Sequence, residues 1–249
     1  MEQEEKQGHY HPLTLVNRDM LTIFNKMGFE VVTGPEIDSE HYNFNMLNVP
    51  PDHPAREMQD TFWLEKDKGG ERMLLRTQTS NMQIRYMEEH KPPLRIISPG
   101  KVYRNEATDA RHEAVFHQIE GLVVDTDITL AHLKGTLEQA LGELFGGKTE
   151  IRMRPGYFPF VEPGVEIDAT CFRCSGKDSS CRLCNGSGWI ELMGAGMVHP
   201  KVLSNVGIHP RKYQGFAFGV GVERLAMVKY GIEDIRVFLS GDARVVDQF

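Results

Sequence analysis

Ser98-Pro-Gly-Lys-Val-Tyr-Arg-Asn-Glu106 and Phe116-His-Gln-Ile-Glu-Gly121 are the two stretches on which the reading of this chain turns. Each reads as a strand, and a charged loop containing His112 joins them. Residues two apart on an extended backbone share a face. Arg104 and Glu106 therefore point one way on the first strand, and Phe116, Gln118 and Glu120 share one face of the second. A cation, an aromatic plate and carbonyl or carboxylate acceptors are thus gathered around one cleft. Such a set suits a nucleotide beside an ammonium-bearing substrate. By spacing alone, a solvated strand face with alternating charges fits equally well.

Outward from this pair, most segments read as strands: 61–64, 73–77, 95–104 and 116–125, then 149–154, 157–161, 165–170 and 189–193. Residues 12–28 form an amphipathic helix with Leu13, Val16, Met20, Ile23, Phe24 and Met27 on one stripe, Pro12 at its start and Gly28 at its stop. A short strand at 29–32 follows, and residues 40–60 read as a long ordered loop. Further helices are expected from Ser80, where Ser80 and Gln83 have capping-box spacing, over 129–145, and over 221–230. Strands arrive in runs rather than in βαβ alternation. That predicts an α+β fold, a mainly antiparallel sheet flanked by helices. There is no GxxxxGK[ST] loop. Gly219-Val-Gly221 only begins a dinucleotide fingerprint, with Arg224 where its last glycine belongs.

The chain has 249 residues, with 28 Lys and Arg against 35 Asp and Glu, for a net charge of -7. That balance argues against a simple nucleic-acid coat, because phosphate backbones are held mainly by Lys and Arg. Any RNA contact needs a local basic surface or a partner that supplies one. No apolar run approaches the roughly 18 residues of a membrane helix, and the start carries no signal-peptide pattern. Residues 1–8 read as a polar leader, 9–249 as the working domain, and the cytoplasm as the expected compartment.

All four cysteines lie in Cys171-Phe-Arg-Cys174 and Cys181-Arg-Leu-Cys184. Two CxxC turns can complete a four-sulfur shell around one tetrahedral zinc ion. Every ligand position is then filled, so the metal is structural. Free thiols and a redox dithiol are the competing readings.

At these residues the sequence resembles class II aminoacyl-tRNA synthetases, in the form of the bacterial phenylalanine enzymes' alpha subunits. Residues 98–106 with 116–121 are similar to that family's motif 2, Gly219-Val-Gly-Val-Glu223-Arg224-Leu to motif 3, and the helix 12–28 with its following strand to motif 1. Tyr42 to Asn48, Asp52-His-Pro-Ala-Arg56, Asp60-Thr-Phe-Trp63, Phe158-Pro-Phe160 and Gly215-Phe-Ala217-Phe218-Gly extend the likeness over about residues 8–249. The cysteine insertion also resembles one found in many bacterial members.

The resemblance implies ATP-dependent activation of L-phenylalanine and its transfer to tRNA(Phe), with Mg2+ accompanying ATP. It also implies a larger beta subunit as partner in an α2β2 assembly. It implies that Arg104 clamps the alpha-phosphate and the substrate carboxylate, that Glu106 accepts from the adenine amino group, and that Phe116 stacks on the base. Arg224 and His112 fall near the gamma-phosphate. Gln118, Glu120 and Ser80 hold the ammonium, with Gln78 beside them. Phe158 and Phe160 meet the phenyl ring, Ala217 sets the depth at its para position, Trp63 lines the pocket near the substrate backbone, and Glu162 is a magnesium ligand by position. Members often carry His where this chain has Gln78, and Thr where it has Arg111. They also carry an N-terminal coiled-coil arm, whereas about ten polar residues precede motif 1 here, so weak tRNA binding by the chain alone is expected. A paralogue serving another acceptor, and a non-catalytic zinc-containing binding module, are the rival readings.

Overall fold

The computed structural model describes residues 8–249 except 58, 59, 67, 148, 172 and 182. The expected polar leader falls on residues 1–7, outside the described residues, and on Gly8. The chain opens with α1 (Pro12–Lys26), whose apolar stripe is buried and whose first turn is capped by His11, the ring accepting the Leu13 N–H at 3.2 Å. Then come β1 (Glu30–Val31), β2 (Ile37–Ser39), β3 (Met73–Leu75), α2 (Asn81–Glu89), β4 (Leu94–Tyr103), β5 (Val115–Asp125) and α3 (Leu130–Phe145). β6 (Ile151–Phe158), β7 (Val161–Thr170), β8 (Trp189–Val198), α4 (Pro200–Asn205), β9 (Gln214–Gly221) and α5 (Val222–Tyr230) complete the frame.

Seven strands form one sheet in the order β1-β4-β5-β9-β8-β7-β6. β1 runs parallel to β4, and every other pairing is antiparallel. β2 and β3 make a small second sheet. The α+β class and its antiparallel sheet are therefore as expected. Several segments differ. Residues 61–64 contribute only a single bridge, Trp63 to Leu74. The loop 40–60 contains a π-helical turn at His41–Asn45 and a 3-10 turn at Pro54–Arg56. The strands expected at 149–154 and 157–161 are one strand as far as Phe158, and Phe160 sits in the turn that leads to β7. No periodicity in the sequence marks the bounds of α4 or β9.

Strand alternation sorts the side chains into two layers. Ile97, Ile119, Val123, Phe216, Phe218 and Val220 pack behind the sheet against α1, α3 and α5. Phe24 of α1 is fully buried and stacks on Phe218 at 5.3 Å. Burial of one such ring stabilises the fold by roughly 1.5–3 kcal/mol. On the front, Ile96, Leu122, Val124 and Ala217 meet α2, α4 and the 40–60 segment. Those elements cover only part of the front face, and a cleft remains over the centre of β5 and β9.

Candidate active site

Glu120 lies at the centre of this cleft. Its carboxylate accepts the Thr79 N–H at 3.2 Å, the Ser80 hydroxyl at 2.5 Å and the Gln83 amide at 3.0 Å. The pair read as a capping box is thus turned elsewhere: Ser80 makes no side-chain cap to α2, and both it and Gln83 bind Glu120. Burial pushes the Glu120 carboxyl up to about 7, against the lowering effect of the Ser80 and Thr79 hydrogen bonds and of Arg104 and Arg76. Glu120 is only 5% exposed, so the solvated-face reading of this strand does not hold.

A cavity of about 320 Å³ opens in front of Glu120. Gln78, Arg104, Gln118, Glu120, Phe158, Phe160 and Ala217 all line it. Gln118 Oε1 is buried with no hydrogen-bond partner, and strand alternation puts Gln118 on the same face of β5 as Glu120. Phe158 and Phe160 stand 6.2 Å apart with rings 24° from parallel. Phe158 is seated on bare backbone: a Cβ at Gly194 would come within 2.7 Å of its ring, and one at Gly156 or Gly164 within 3.3 Å. The four phenylalanines that alternate along the sequence therefore divide. Phe216 and Phe218 are core, Phe218 also contributing to the cavity lining, while Phe158 and Phe160 face the cavity.

A second cleft, also about 320 Å³, adjoins the first at Arg104. Glu106, His112, Phe116 and Arg224 line it, together with Arg111, Glu113 and Glu223. The Arg104 guanidinium carbon sits 4.9 Å from the Phe116 ring centroid, and Arg104 and Glu106 approach to 4.0 Å. Desolvation lowers the Arg104 pKa from its ordinary value, with Glu106 and Glu120 opposing. Desolvation, reinforced by Arg111, does the same at Arg224. Neither arginine loses its charge at neutral pH. Arg224 Nε donates to the Glu191 carbonyl at 3.2 Å, and the His112 ring nitrogen lies 3.0 Å from Asp109.

Three expected site residues lie elsewhere. Trp63 does not line the cavity in front of Glu120; it packs against Phe44 and under Arg72, and its indole donates to the Arg56 carbonyl at 3.1 Å. Ser80 stands behind Glu120 rather than in the cavity wall. Glu162 is exposed, pairs with His199 at 3.2 Å and lines none of these cavities. Conversely, Gln83, His53, Val161 and Gly194 line the cavity without having been singled out as site residues. Gln83 was visible only as a helix-start signal.

The four cysteine sulfurs lie within 4.8 Å of one another and could hold a metal ion. Cys171 and Cys181 are 3.9 Å apart, and Cys174 and Cys184 3.6 Å. A tetrahedral zinc with sulfurs at about 2.3 Å needs sulfur–sulfur edges of about 3.8 Å. The knuckles are joined to the β7–β8 hairpin by the Cys171 N–H, which donates to the Gly188 carbonyl at 2.8 Å.

An antiparallel sheet carrying two arginines over adjoining aromatic and carboxylate-lined clefts defines a class II aminoacyl-tRNA synthetase core. The chain matches the tRNA synthetases class II core domain (F) family over residues 1–249. Its fold is also that of pyrrolysyl-tRNA synthetase from Desulfitobacterium hafniense, with a TM-score of 0.67 at 18% identity over 92% of this chain and 74% of that one. Phenylalanine–tRNA ligase alpha subunits are much nearer in sequence. That of Dehalococcoides mccartyi is 57% identical over 244 residues, 97% of this chain and 70% of the relative. That of Caldanaerobacter subterraneus subsp. tengcongensis is 53% identical over 98% of this chain and 70% of the relative. The chain belongs to the phenylalanine–tRNA ligase alpha subunit family. Among the described residues, no helix is long and apolar enough to cross a membrane.

Proposed function

We propose that the chain activates L-phenylalanine with ATP and passes it to tRNA(Phe), as the alpha subunit of a cytoplasmic α2β2 enzyme. One observation carries most of this reading: the partnerless Gln118 Oε1 beside buried Glu120, in a cavity with an aromatic wall. An ammonium group satisfies both acceptors, and an apolar ring fills the space beyond them. The phenyl ring goes against Phe158 and Phe160, in a favourable aromatic geometry. Ala217 limits its depth and leaves a para hydroxyl without a partner, which disfavours tyrosine.

The substrate carboxylate then lies at Arg104, where the two clefts meet. Its attack on the alpha-phosphorus expels pyrophosphate. Arg104 holds the two reacting groups together with a planar fork that matches carboxylate and phosphate oxygens. Phe116 and Glu106 seat the base, and Arg224 with His112 neutralises the far phosphates. Magnesium bound with ATP supplies further charge neutralisation. Such ions usually take one or two protein carboxylates and fill their other positions with water and phosphate oxygens. Zinc suits the four thiols by number, softness and spacing.

Phenylalanine-dependent exchange of labelled pyrophosphate into ATP tests the reading, with the chain assayed alone and with a beta subunit. Exchange with phenylalanine but not tyrosine, abolished by Arg104→Ala, is the expected result. No exchange even with the partner present would leave a binding role built on a synthetase fold.

A further inference from the structure

Arg111 stands out among the charged side chains of the cleft lined by Phe116 and Arg224. Activation as proposed above draws on Arg104, His112 and Arg224 there and gives Arg111 no part. Glu106, Glu113 and Glu223 share this cleft, and each is engaged elsewhere. The Glu223 carboxylate lies 2.7 Å from the His117 ring. Glu113 accepts the Thr108 hydroxyl at 3.0 Å and the Ala114 N–H at 3.1 Å. Glu106 approaches Arg104, at 4.0 Å. Among the described residues, neither Arg111 nor Arg224 forms an ion pair with a carboxylate. The Arg111 charge bears on Arg224 directly, lowering its pKa more than Glu191 restores it.

The backbone that carries Arg111 is fixed, although the side chain is exposed. Asp109 closes the turn: its carboxylate accepts the Arg111 and His112 N–H groups at 2.7 and 2.8 Å and lies 3.0 Å from the His112 ring. The Asp109 N–H donates to the His112 carbonyl at 3.0 Å. The Ala110 carbonyl accepts the Ile235 N–H at 3.0 Å, which ties the turn to the 3-10 segment Ile235–Leu239. Ile235 itself lines the cleft. Two guanidiniums are thereby held at one cleft and repel each other while it is empty, a cost that a bound anion removes. Because the backbone is already set, binding has only side chains left to order.

Building on the activation proposed above, we infer that Arg111 is a further phosphate-binding residue, which closes with Arg224 on the beta- and gamma-phosphates of ATP and retains them as the pyrophosphate product. Threonine is usual at this position in the family, so this cation adds to the clamp that the resemblance implies. As the substrate carboxylate oxygen bonds to the alpha-phosphorus, the bond from that phosphorus to the bridging oxygen breaks. Its electron pair leaves on the beta-phosphate, so negative charge grows on the group that Arg111 and Arg224 hold. A guanidinium meets phosphate oxygens with two parallel charged donors, which a threonine hydroxyl cannot supply.

The test uses the chain assembled with its beta subunit. In pyrophosphate exchange, Arg111→Thr should raise KM for ATP and KM for pyrophosphate about tenfold each, and leave KM for phenylalanine within about twofold. Arg111→Lys, which keeps the charge but not the planar fork, should fall between parent and Arg111→Thr. The Tm of the empty assembly should hold or rise slightly on Arg111→Thr, since the repulsion at Arg224 is gone, while the Tm gain given by inorganic pyrophosphate alone shrinks. Unchanged constants for both ATP and pyrophosphate would overturn the assignment. So would an equal rise for phenylalanine, or a lower Tm of the empty assembly, because Arg111 would then be shaping the turn. Absence of exchange in the unsubstituted assembly is a different failure: activation falls, and the Tm gain with ATP or pyrophosphate alone still decides whether Arg111 binds phosphate.

Discussion

Glu223 grips His117 twice: its carboxylate accepts the backbone N–H at 2.9 Å and lies 2.7 Å from the ring Nδ1. The contact joins the first turn of α5 to β5, so the helix carrying Arg224 is tied to the strand carrying Gln118 and Glu120. A carboxylate at a helix N-terminus also faces the positive end of the helix dipole. Glu223→Gln removes the charge and one acceptor while keeping the shape. We expect a loss of roughly 1–3 kcal/mol of stability, the usual cost of breaking a buried charged hydrogen bond. Because Arg224 is the next residue, KM for ATP should rise more than KM for phenylalanine. Thermal melting and exchange kinetics with each substrate varied in turn check both effects; equal rises in the two constants would contradict the link.

Glu120 should make phenylalanine binding pH-dependent. With its carboxyl raised to about 7 by burial, the empty site is largely protonated below that pH. Binding an ammonium group then requires proton loss. KM for phenylalanine should climb toward about tenfold per pH unit below pH 7 and level off above it. Glu120→Gln should bind weakly at all pH values and show no such slope. The same shift has an opposite sign for stability. Since the folded carboxyl lies above its ordinary range, this group favours the unliganded fold most below that range and loses the contribution as pH rises through 7. A KM that is flat from pH 5.5 to 8 would contradict the assignment.

Gly194 sets where the Phe158 ring stands. A methyl at this position would come within 2.7 Å of the ring, which must then swing toward the cavity. Overpacking of this kind costs about 1–3 kcal/mol, and about 1.4 kcal/mol appears as a tenfold loss of affinity. Gly194→Ala should raise KM for phenylalanine by about that factor and leave KM for ATP nearly unchanged. An unchanged KM for phenylalanine would show that the ring retreats another way.

Metal loss should reach the cleft lined by Phe116 and Arg224 through the hairpin. Trp189 begins β8 just past the knuckles, and two residues on, the Glu191 carbonyl accepts from Arg224. Cys181→Ser should lower zinc content from one ion per chain. A cost of about 3 kcal/mol would lower Tm by about 6–12 °C at this chain length. Arg224 positioning should suffer with it, raising KM for ATP. Metal analysis, melting and exchange kinetics together test this; unchanged melting in a zinc-free variant would remove the structural role.

Much of the site was legible because its chemistry is carried by side chains at fixed strand spacing. Arg104, Phe116, Gln118 and Glu120 follow the period of an extended chain, and the cysteines follow the spacing of metal knuckles. Their register survives folding because a shift by one residue would turn every side chain to the other face. Less regular segments were harder to read. A stretch such as 40–60, rich in Asn, Pro and His, has no period to announce its π-helical and 3-10 turns. The Ser80 and Gln83 spacing had two uses, and the buried carboxylate of Glu120 on β5 took both side chains from the helix cap.

By itself, then, the sequence determined the α+β class, the antiparallel sheet, the four-cysteine knuckle and the strand faces of the central clamp, since all of these are set by contacts close along the chain or by periodicity. Tertiary structure showed that Phe158 and Phe160, which the resemblance had assigned to the site, line the cavity, while Phe216 is buried in the core. It likewise placed Trp63 behind the Pro54–Arg56 turn, gave Glu120 its raised pKa and brought two cavities together at Arg104. Those outcomes depend on long-range packing: a ring's surroundings, the water a carboxylate loses and the space left between strands are properties of neighbours far apart in sequence.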